Sequence, residues 1–138
     1  GRLAWFRFHE KGGKYHQVPA HHKAVEYLDA YLSASGIALE ERSPLFRASY
    51  KKSRTLTPRP LTTDAALRIV KRRAAAAGLP KQIGCHTFRA TGITAFLANG
   101  GELTTAQRIA GHESPRTTKL YDRTQEDVSL DEIERVLI

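Results

Sequence analysis

One segment of this chain restricts the fold more than any other, because it reads as a helix with apolar side chains around much of its circumference. The segment is HTFRATGITAFLANGG, residues 86–101, and its large apolar residues are Phe88, Ile93, Phe96 and Leu97. A helix that is apolar over so much of its surface is usually buried. We therefore expect this helix to lie in the core.

Two elements are predicted at the start of the chain. Residues 3–19, LAWFRFHEKGGKYHQVP, have strand-forming aromatic residues on both sides of Gly12-Gly13, a pattern typical of a β-hairpin. Residues 20–36 carry apolar side chains at helical spacing and end at Gly36. The sequence therefore predicts a hairpin followed by a helix.

The middle of the chain is predicted to be a loop followed by a second helix. Residues 40–61 contain prolines among many basic residues, and predict a loop with a short strand around Leu45-Phe46. Residues 62–78, TTDAALRIVKRRAAAAG, begin with a threonine suited to an N-cap and end at Gly78. One face of this helix is apolar and the other is basic.

Short helices are predicted after the apolar helix. The first is TTAQRIAG, which ends at Gly111, and the second begins at Ser114-Pro115. The third is SLDEIERVLI, which begins with a Ser129–Glu132 capping box and runs to the chain end. Nothing suggests alternating strands and helices, so we predict a mainly α fold with a small antiparallel β-sheet near the N-terminus, in the α+β class. We expect residues 1–138 to form one domain, since domains commonly have roughly 100–200 residues.

The net charge is the first indication of function. Twenty-two Lys and Arg against fourteen Asp and Glu give +8, with a pI near 9.9. A small basic domain is a candidate for binding nucleic acid, although many basic domains bind nothing acidic. The single cysteine, Cys85, excludes an internal disulfide and a zinc site built from cysteines. No run approaches the roughly 18 apolar residues of a membrane span. No acidic cluster has the spacing of a magnesium site, and we expect neither a metal nor a cofactor.

Five polar side chains are candidates for chemistry, and each has an ordinary explanation when taken alone. His86 and Arg89 lie three apart, hence on one helix face, and could form a helix cap and an internal salt bridge. His112 follows a helix end, where it could interact with the helix dipole. Lys11 could be a solvated turn residue, and Tyr121 could anchor a short helix to the core.

Together, these five side chains can surround one phosphodiester. Arg89 and a histidine can donate hydrogen bonds to the non-bridging oxygens while charge builds up on them. Tyr121 can attack the phosphorus if cations or a base assist it, because its ordinary pKa is about 10. Lys11 can protonate the leaving oxygen. The sequence thus indicates phosphoryl transfer without a metal.

The order and spacing of these residues resemble the catalytic domain of the tyrosine recombinases, the phage integrase family. His86 and Arg89 match the family's His-x-x-Arg pair, and His112 matches its His/Trp position inside the usual Gly-His. Tyr121 matches the nucleophile, nine residues later and after paired threonines. The stretch EKGGKYHQVP resembles the family's hairpin, whose catalytic lysine lies eight residues before a proline, and this selects Lys11 over the second lysine of the turn. The match covers essentially all of the chain.

The resemblance implies a mechanism. Tyr121 would attack a DNA phosphodiester, form a 3′-phosphotyrosyl link and release a 5′-hydroxyl, which Lys11 would protonate as general acid. Arg89 and His112 would hold the phosphate, and His86 would assist proton transfer near the tyrosine. A 5′-hydroxyl from another strand would then reverse the step. The family's first arginine and its N-terminal DNA-binding domain are missing, so we expect a fragment of a larger enzyme that is inactive alone.

Further expectations concern partners and alternatives. We predict double-stranded DNA as the partner, self-association on DNA, as a tetramer, through the C-terminal helix, and a cytoplasmic, nucleoid-associated location. Alternatives are a type IB topoisomerase-like enzyme, a non-catalytic DNA-binding remnant, and a basic helical domain with no role on DNA. The residues predicted to contact DNA are Lys14, Lys51, Lys52, Arg54, Arg72, Arg73, Thr87 and Arg116.

Overall fold

The computed structural model describes residues 3–10, 12–111 and 130–137 of the chain. Its strands are β1 (Trp5–Glu10), β2 (Lys14–Pro19), β3 (Arg47–Ser49) and β4 (Leu56–Pro60). Its helices are α1 (His22–Ser35), α2 (Thr63–Ala76), α3 (Cys85–Ala98), α4 (Leu103–Ala110) and α5 (Leu130–Ile133). The predicted class, mainly helical with a small antiparallel sheet near the N-terminus, is confirmed. None of these described helices combines the length and the apolar character needed to cross a membrane.

The predicted N-terminal hairpin is confirmed. β1 and β2 pair antiparallel, with Phe8 opposite His16 and Glu10 opposite Lys14. Gly12 and Gly13 have φ angles of 86° and 75°. Positive φ at both positions favours glycine, because an L side chain is strained there. The Gly-Gly pair therefore fixes the register of the hairpin.

A second hairpin occupies part of the basic loop. The sequence predicted only one short strand there, around Leu45-Phe46, and the strand in the structure begins at Arg47. β3 pairs antiparallel with β4, so that Arg47 lies opposite Pro60 and Ser49 opposite Leu56. The prolines of β4 obscured this strand, because proline cannot donate to a strand ladder. In a two-stranded sheet each strand has a free edge, and proline is tolerated where its missing N–H would face outward.

The helix α2 has the predicted cap. The Thr62 hydroxyl accepts a hydrogen bond from the Ala65 backbone N–H at 3.1 Å. Past the other end, Gly78 has a φ of 72°, as a helix-terminating glycine often does. The start and the end of α2 therefore follow from local sequence.

A smaller part of the surface of α3 is buried than predicted. Phe96 is 1% exposed, but Phe88 is 50% and Leu97 37% exposed. The prediction that this helix is buried over much of its circumference is therefore wrong, because the other elements cover one stripe of it around Phe96. The apolar face that carries Phe88 remains open to solvent.

The turn between α3 and α4 packs directly against Phe96. The Gly101 N–H donates to the Phe96 carbonyl at 2.9 Å. A Cβ placed on Gly101 would lie 2.1 Å from Cε1 of the Phe96 ring. The backbone at Gly101 thus occupies the space that a side chain would need, and this close approach sets how α4 follows α3.

The C-terminal segment is attached to other parts of the chain by several residues in close succession. The Thr105 hydroxyl on α4 donates to the Glu132 carboxylate at 3.0 Å. Ile133 is 6% exposed and belongs to the core. The Arg135 guanidinium donates to the Gly100 carbonyl. The apolar residue Ile133 of α5 is therefore buried in its own chain.

The helix α5 is shorter than predicted. It ends at Ile133, and the backbone then tightens into bonds of the i→i+3 type, from Arg135 to Glu132 and from Val136 to Ile133. Leu137, which lies within the predicted helix, is 71% exposed. The helix therefore does not run to the chain end. Ser129 of the capping box, like the helix predicted at Ser114-Pro115, lies outside the described residues.

Residue contacts divide the chain into two compact units. Unit 1 comprises Gly1–Leu28 and Arg89–Ile138, and unit 2 comprises Asp29–Phe88. Unit 1 contains the first hairpin, α4 and α5, and unit 2 contains the second hairpin and α2. That residues 1–138 form one domain stays a prediction.

Candidate active site

The first turn of α3 presents the predicted His-x-x-Arg pair on one face. His86 and Arg89 are both exposed and lie three residues apart on the helix. Among the ion pairs of the described residues, none joins Arg89 to a carboxylate. The internal salt bridge that would explain this arginine structurally is therefore absent from the described part of the chain. The pair lies at the positive end of a helix dipole, which favours an anion.

Local contacts fix where α3 begins. The Gly84 N–H donates to the Thr87 hydroxyl at 3.1 Å, and the Thr87 N–H donates to the Gly84 carbonyl at 3.0 Å. A Cβ on Gly84 would lie 3.9 Å from Cδ1 of Leu67 on α2. Thr87, predicted to contact DNA, therefore holds the first turn of α3, which carries His86.

The end of α4 forms the predicted glycine corner. Gly111 has a φ of 67°, and its N–H donates to the Arg108 carbonyl at 3.1 Å. This left-handed cap is the conformation that terminates many helices and that favours glycine. Gly111 immediately precedes His112, so the sharp turn lies directly before the predicted phosphate-binding histidine.

The first hairpin lies against the end of α4. The His16 ring nitrogen Nε2 lies 3.3 Å from the Ile109 carbonyl oxygen. A Cβ on Gly111 would lie 2.5 Å from Oε1 of Glu10. The turn end of β1 and the middle of β2 therefore both approach residues 109–111.

The predicted nucleophile and two of its partners lie outside the described residues. These are Tyr121, Lys11 and His112, and their roles stay predictions. Their described neighbours are informative, because Glu10 adjoins Lys11 in sequence and Gly111 adjoins His112. The structure thus brings together the two segments that flank the predicted lysine and histidine.

Several predicted DNA-binding cations are accessible to a polyanion from solution. Lys51, Lys52 and Arg54 are exposed on the turn that joins β3 to β4. Arg72 and Arg73 are exposed on α2. Both groups belong to unit 2. Lys14 is half-buried on β2 of unit 1, and Arg116 lies outside the described residues.

One further exposed cation of unit 2 was not among those predicted to contact DNA, and another arginine of this unit is bonded within the chain. Arg68 is exposed on α2, and it lies four residues before Arg72, on the same helix face. That spacing could have identified it. Arg47, by contrast, has its guanidinium bonded to the Glu40 carboxylate and to the Ser43 hydroxyl. The hydrogen bond from Arg47 lowers the pKa of Glu40, so this arginine serves an internal ion pair.

A separate cluster of ionisable groups joins α1 to the C-terminal segment. The Glu134 carboxylate accepts from the His22 backbone N–H at 3.1 Å and contacts Nδ1 of His22 at 2.5 Å. It also lies 3.0 Å from Nε2 of His21. Burial opposes ionisation of Glu134, but the hydrogen bonds from His22 together with the charges of His21 and His22 outweigh it, so the pKa of this carboxyl is lowered. A carboxylate at the first turn of α1 also suits the helix dipole.

This cluster has the residue types of a metal site, but its hydrogen bonds argue against one. His21, His22 and Glu134 offer ligand atoms within 4.8 Å of one another. However, Nδ1 of His21 accepts a hydrogen bond from the Lys23 N–H at 3.1 Å. The ring proton is therefore on Nε2, which donates it to Glu134 and has no lone pair for a metal. The cluster is satisfied as a hydrogen-bonded connection between two segments.

Comparison with known proteins gives the class to which this fold and residue pattern belong. The profile of the phage integrase family matches residues 2–127. The chain therefore belongs to the phage integrase family. No solved structure matches it significantly.

The similar curated proteins are tyrosine recombinases. Tyrosine recombinase XerC of Rhizobium meliloti is 32% identical over 121 residues, which cover 88% of this chain and 36% of the relative. Tyrosine recombinase XerD of Chlorobaculum tepidum is 34% identical over 113 residues, covering 80% and 35%. XerD of Bifidobacterium longum is 32% identical over 115 residues, covering 80% and 36%. The chain thus spans about a third of the length of these relatives.

Proposed function

We propose that this chain is part of an enzyme that carries out site-specific DNA recombination by cleaving and rejoining DNA strands. The observation that carries the proposal is the packing of the first hairpin on the end of α4, through Glu10 beside Gly111 and His16 beside Ile109. This packing joins the segments that adjoin Lys11 and His112. Family membership supports the same conclusion.

The proposed chemistry follows from the charges of the residues. Arg89, which has no carboxylate partner among the described residues, would bind the non-bridging oxygens of the scissile phosphate together with His112. Tyr121 would attack the phosphorus and form a 3′-phosphotyrosyl link. Lys11 would donate a proton to the leaving 5′-oxygen, and His86 would assist proton transfer at the tyrosine. The energy of the broken phosphodiester is kept in the new link, so rejoining needs no ATP.

The partner that we propose is double-stranded DNA. The exposed cations of unit 2 are suited to contact its phosphates, because each neutralised phosphate releases bound counterions. Self-association on DNA through the C-terminal segment is also proposed. In the free chain Ile133 is already buried, so an exchange between protomers would first have to expose it.

A second candidate function is DNA binding without cleavage. It is favoured by the exposed cations at the β3–β4 turn, which need no nucleophile to bind DNA. Since the chain spans about a third of the length of its relatives, we expect cleavage to require a longer form of the protein. The two candidates differ in whether a covalent adduct forms.

Covalent trapping distinguishes them. The chain and the longer form are incubated with a pool of nicked duplexes of randomised sequence, in which a short strand diffuses away after cleavage and leaves the adduct trapped. The products are separated on a denaturing gel, with Tyr121→Phe as the control. We expect an adduct from the longer form that is lost in Tyr121→Phe. No adduct, with salt-sensitive DNA binding intact, would refute cleavage and favour the second candidate.

A further inference from the structure

The contact between the first hairpin and α4 depends on a histidine that the chemistry above does not use. His16 lies on β2, half-buried, with Nε2 3.3 Å from the Ile109 carbonyl oxygen. The two residues are 93 positions apart in sequence. Ile109 is in the last turn of α4, whose final carbonyls have no partner within the helix. A side chain from another element therefore satisfies one of these carbonyls.

The His16 ring is held from the opposite strand. Phe8 faces it across the register of the hairpin, and the two rings stack at 25° with centroids 6.1 Å apart. Since a carbonyl oxygen accepts, the hydrogen on Nε2 must be donated by His16. Both the neutral Nε2–H form and the fully protonated ring can make this bond. The contact is thus a hydrogen bond from a ring that also stacks on Phe8.

The position of this bond suggests its role. It lies within residues 14–19 of β2, and Lys11 lies between β1 and β2 in the sequence. The bond also holds Ile109, which comes two positions before Gly111, and His112 follows Gly111 in the sequence. A small rotation of the hairpin about this point would move its tip relative to the corner. Misplacement of a catalytic group by about 1 Å can cost on the order of 100-fold in rate.

We propose that His16 is a positioning residue, which holds the hairpin on the end of α4 so that Lys11 reaches the leaving oxygen of the phosphate bound beside His112. The proposal rests on the proposed function, because it concerns the general-acid step of that reaction. It assigns no chemical step to His16 itself. The loss of the bond should therefore slow leaving-group protonation more than any other step.

A substrate with a sulfur leaving group tests this directly. Replacing the bridging 5′-oxygen of the scissile phosphate by sulfur removes the need for a general acid, because a thiolate leaves unprotonated. The variants, made in the form that gives the adduct, are His16→Ala, His16→Gln and His9→Ala. The Gln amide keeps a donor for the Ile109 carbonyl. His9 is the matched control, since it is an exposed histidine on β1 whose ring meets the Tyr15 ring edge-on.

We expect His16→Ala to slow adduct formation on the ordinary substrate by about 10- to 100-fold, and on the sulfur substrate by less than about 3-fold. His16→Gln should recover most of the lost rate, and His9→Ala should behave like the wild type. An equal loss on both substrates would overturn the proposal, because it would mean a general structural role. An unchanged rate on the ordinary substrate would overturn it too.

A second measurement does not depend on catalysis. The nitrogen NMR shifts of the His16 ring report which nitrogen carries the proton, and we expect Nε2–H at neutral pH. Hydrogen exchange at residues 107–111 should accelerate in His16→Ala but not in His9→Ala. The Nδ1–H tautomer, or unchanged exchange, would overturn the anchoring whatever the enzyme does. If the wild type cleaves neither substrate, the proposed function fails, and with it the role in catalysis, while these two readouts still decide the anchor.

Discussion

Replacing Gly101 by alanine should destabilise the protein, although alanine usually stabilises when it replaces glycine. A Cβ at this position would lie 2.1, 2.3 and 2.5 Å from three atoms of the Phe96 ring. Carbon atoms in favourable contact are about 3.5 Å apart, so the ring edge would have to retreat by about 1.4 Å. Phe96 is 1% exposed, and so has no free space into which to move.

Two opposing effects set the magnitude. Overpacking of a core costs about 1–3 kcal/mol, and the depth of this overlap favours the upper end. Against this, alanine lowers the conformational entropy of the unfolded chain, which stabilises the folded protein by about 0.4–1 kcal/mol. This gain applies because Gly101 is not in the left-handed region, where alanine would be strained. The net loss should be about 2 kcal/mol. In a chain of 138 residues this corresponds to a fall in Tm of about 7 °C.

The measurement is urea and thermal unfolding of Gly101→Ala beside a matched control. Gly92→Ala, on α3, introduces a Cβ with nothing within 4 Å, and should stabilise by up to about 1 kcal/mol. In a Phe96→Leu background the cost of Gly101→Ala should fall, because leucine lacks the outer ring atoms. The steric argument would be refuted if Gly101→Ala were as stable as Gly92→Ala. It would also be refuted if Gly101→Ala cost as much in the Phe96→Leu background as in the wild type.

Three further predictions concern other parts of the molecule. Because the pKa of Glu134 is lowered in the folded state, its contribution to stability is fully present above the ordinary value of 4.5 and is lost as pH falls through the lower folded value. The difference in Tm between wild type and Glu134→Gln should therefore shrink below pH 4.5, and a difference that grows there would contradict this sign. Thr62→Ala should cost about 1 kcal/mol in urea unfolding, while Thr62→Ser keeps the cap and should cost much less. Replacing three exposed cations by alanine should weaken DNA binding and reduce the slope of log affinity against log salt by up to about 3, and an unchanged slope would remove them from the DNA contact. They are Lys51, Lys52 and Arg54.

The parts of the fold that follow from local sequence were predicted, and those that depend on tertiary context were not. Gly12-Gly13 and Thr62 each fix a turn or a helix start through their own backbone or side chain. The strand at residues 56–60 was missed, because its prolines are tolerated only at a sheet edge that the sequence does not reveal. Exposure of Phe88 was missed for a similar reason, since periodicity cannot say which neighbours cover a helix face.

The candidate site likewise has parts that the sequence predicted and parts that it did not. The spacing of His86 and Arg89 was enough to put them on one face of a helix, and the structure has them there, exposed. The resemblance to a family supplied roles for Lys11, His112 and Tyr121, which stay predictions. The contact of His16 could not be predicted from the sequence, because its partner is 93 residues away and is a backbone carbonyl, which no side-chain motif encodes.

The division of unit 1 between the two ends of the sequence has a consequence for how the protein is made. Its first 28 residues meet their partners only after residues 29–88 and the following helices have been synthesised, and the bond from His22 to Glu134 closes a loop of 112 residues. Unit 2 is continuous and can fold while the chain is still emerging from the ribosome. The first hairpin can dock only after α4 has been synthesised, so the proposed chemical centre is completed later than unit 2, which carries the exposed cations of the β3–β4 turn and α2.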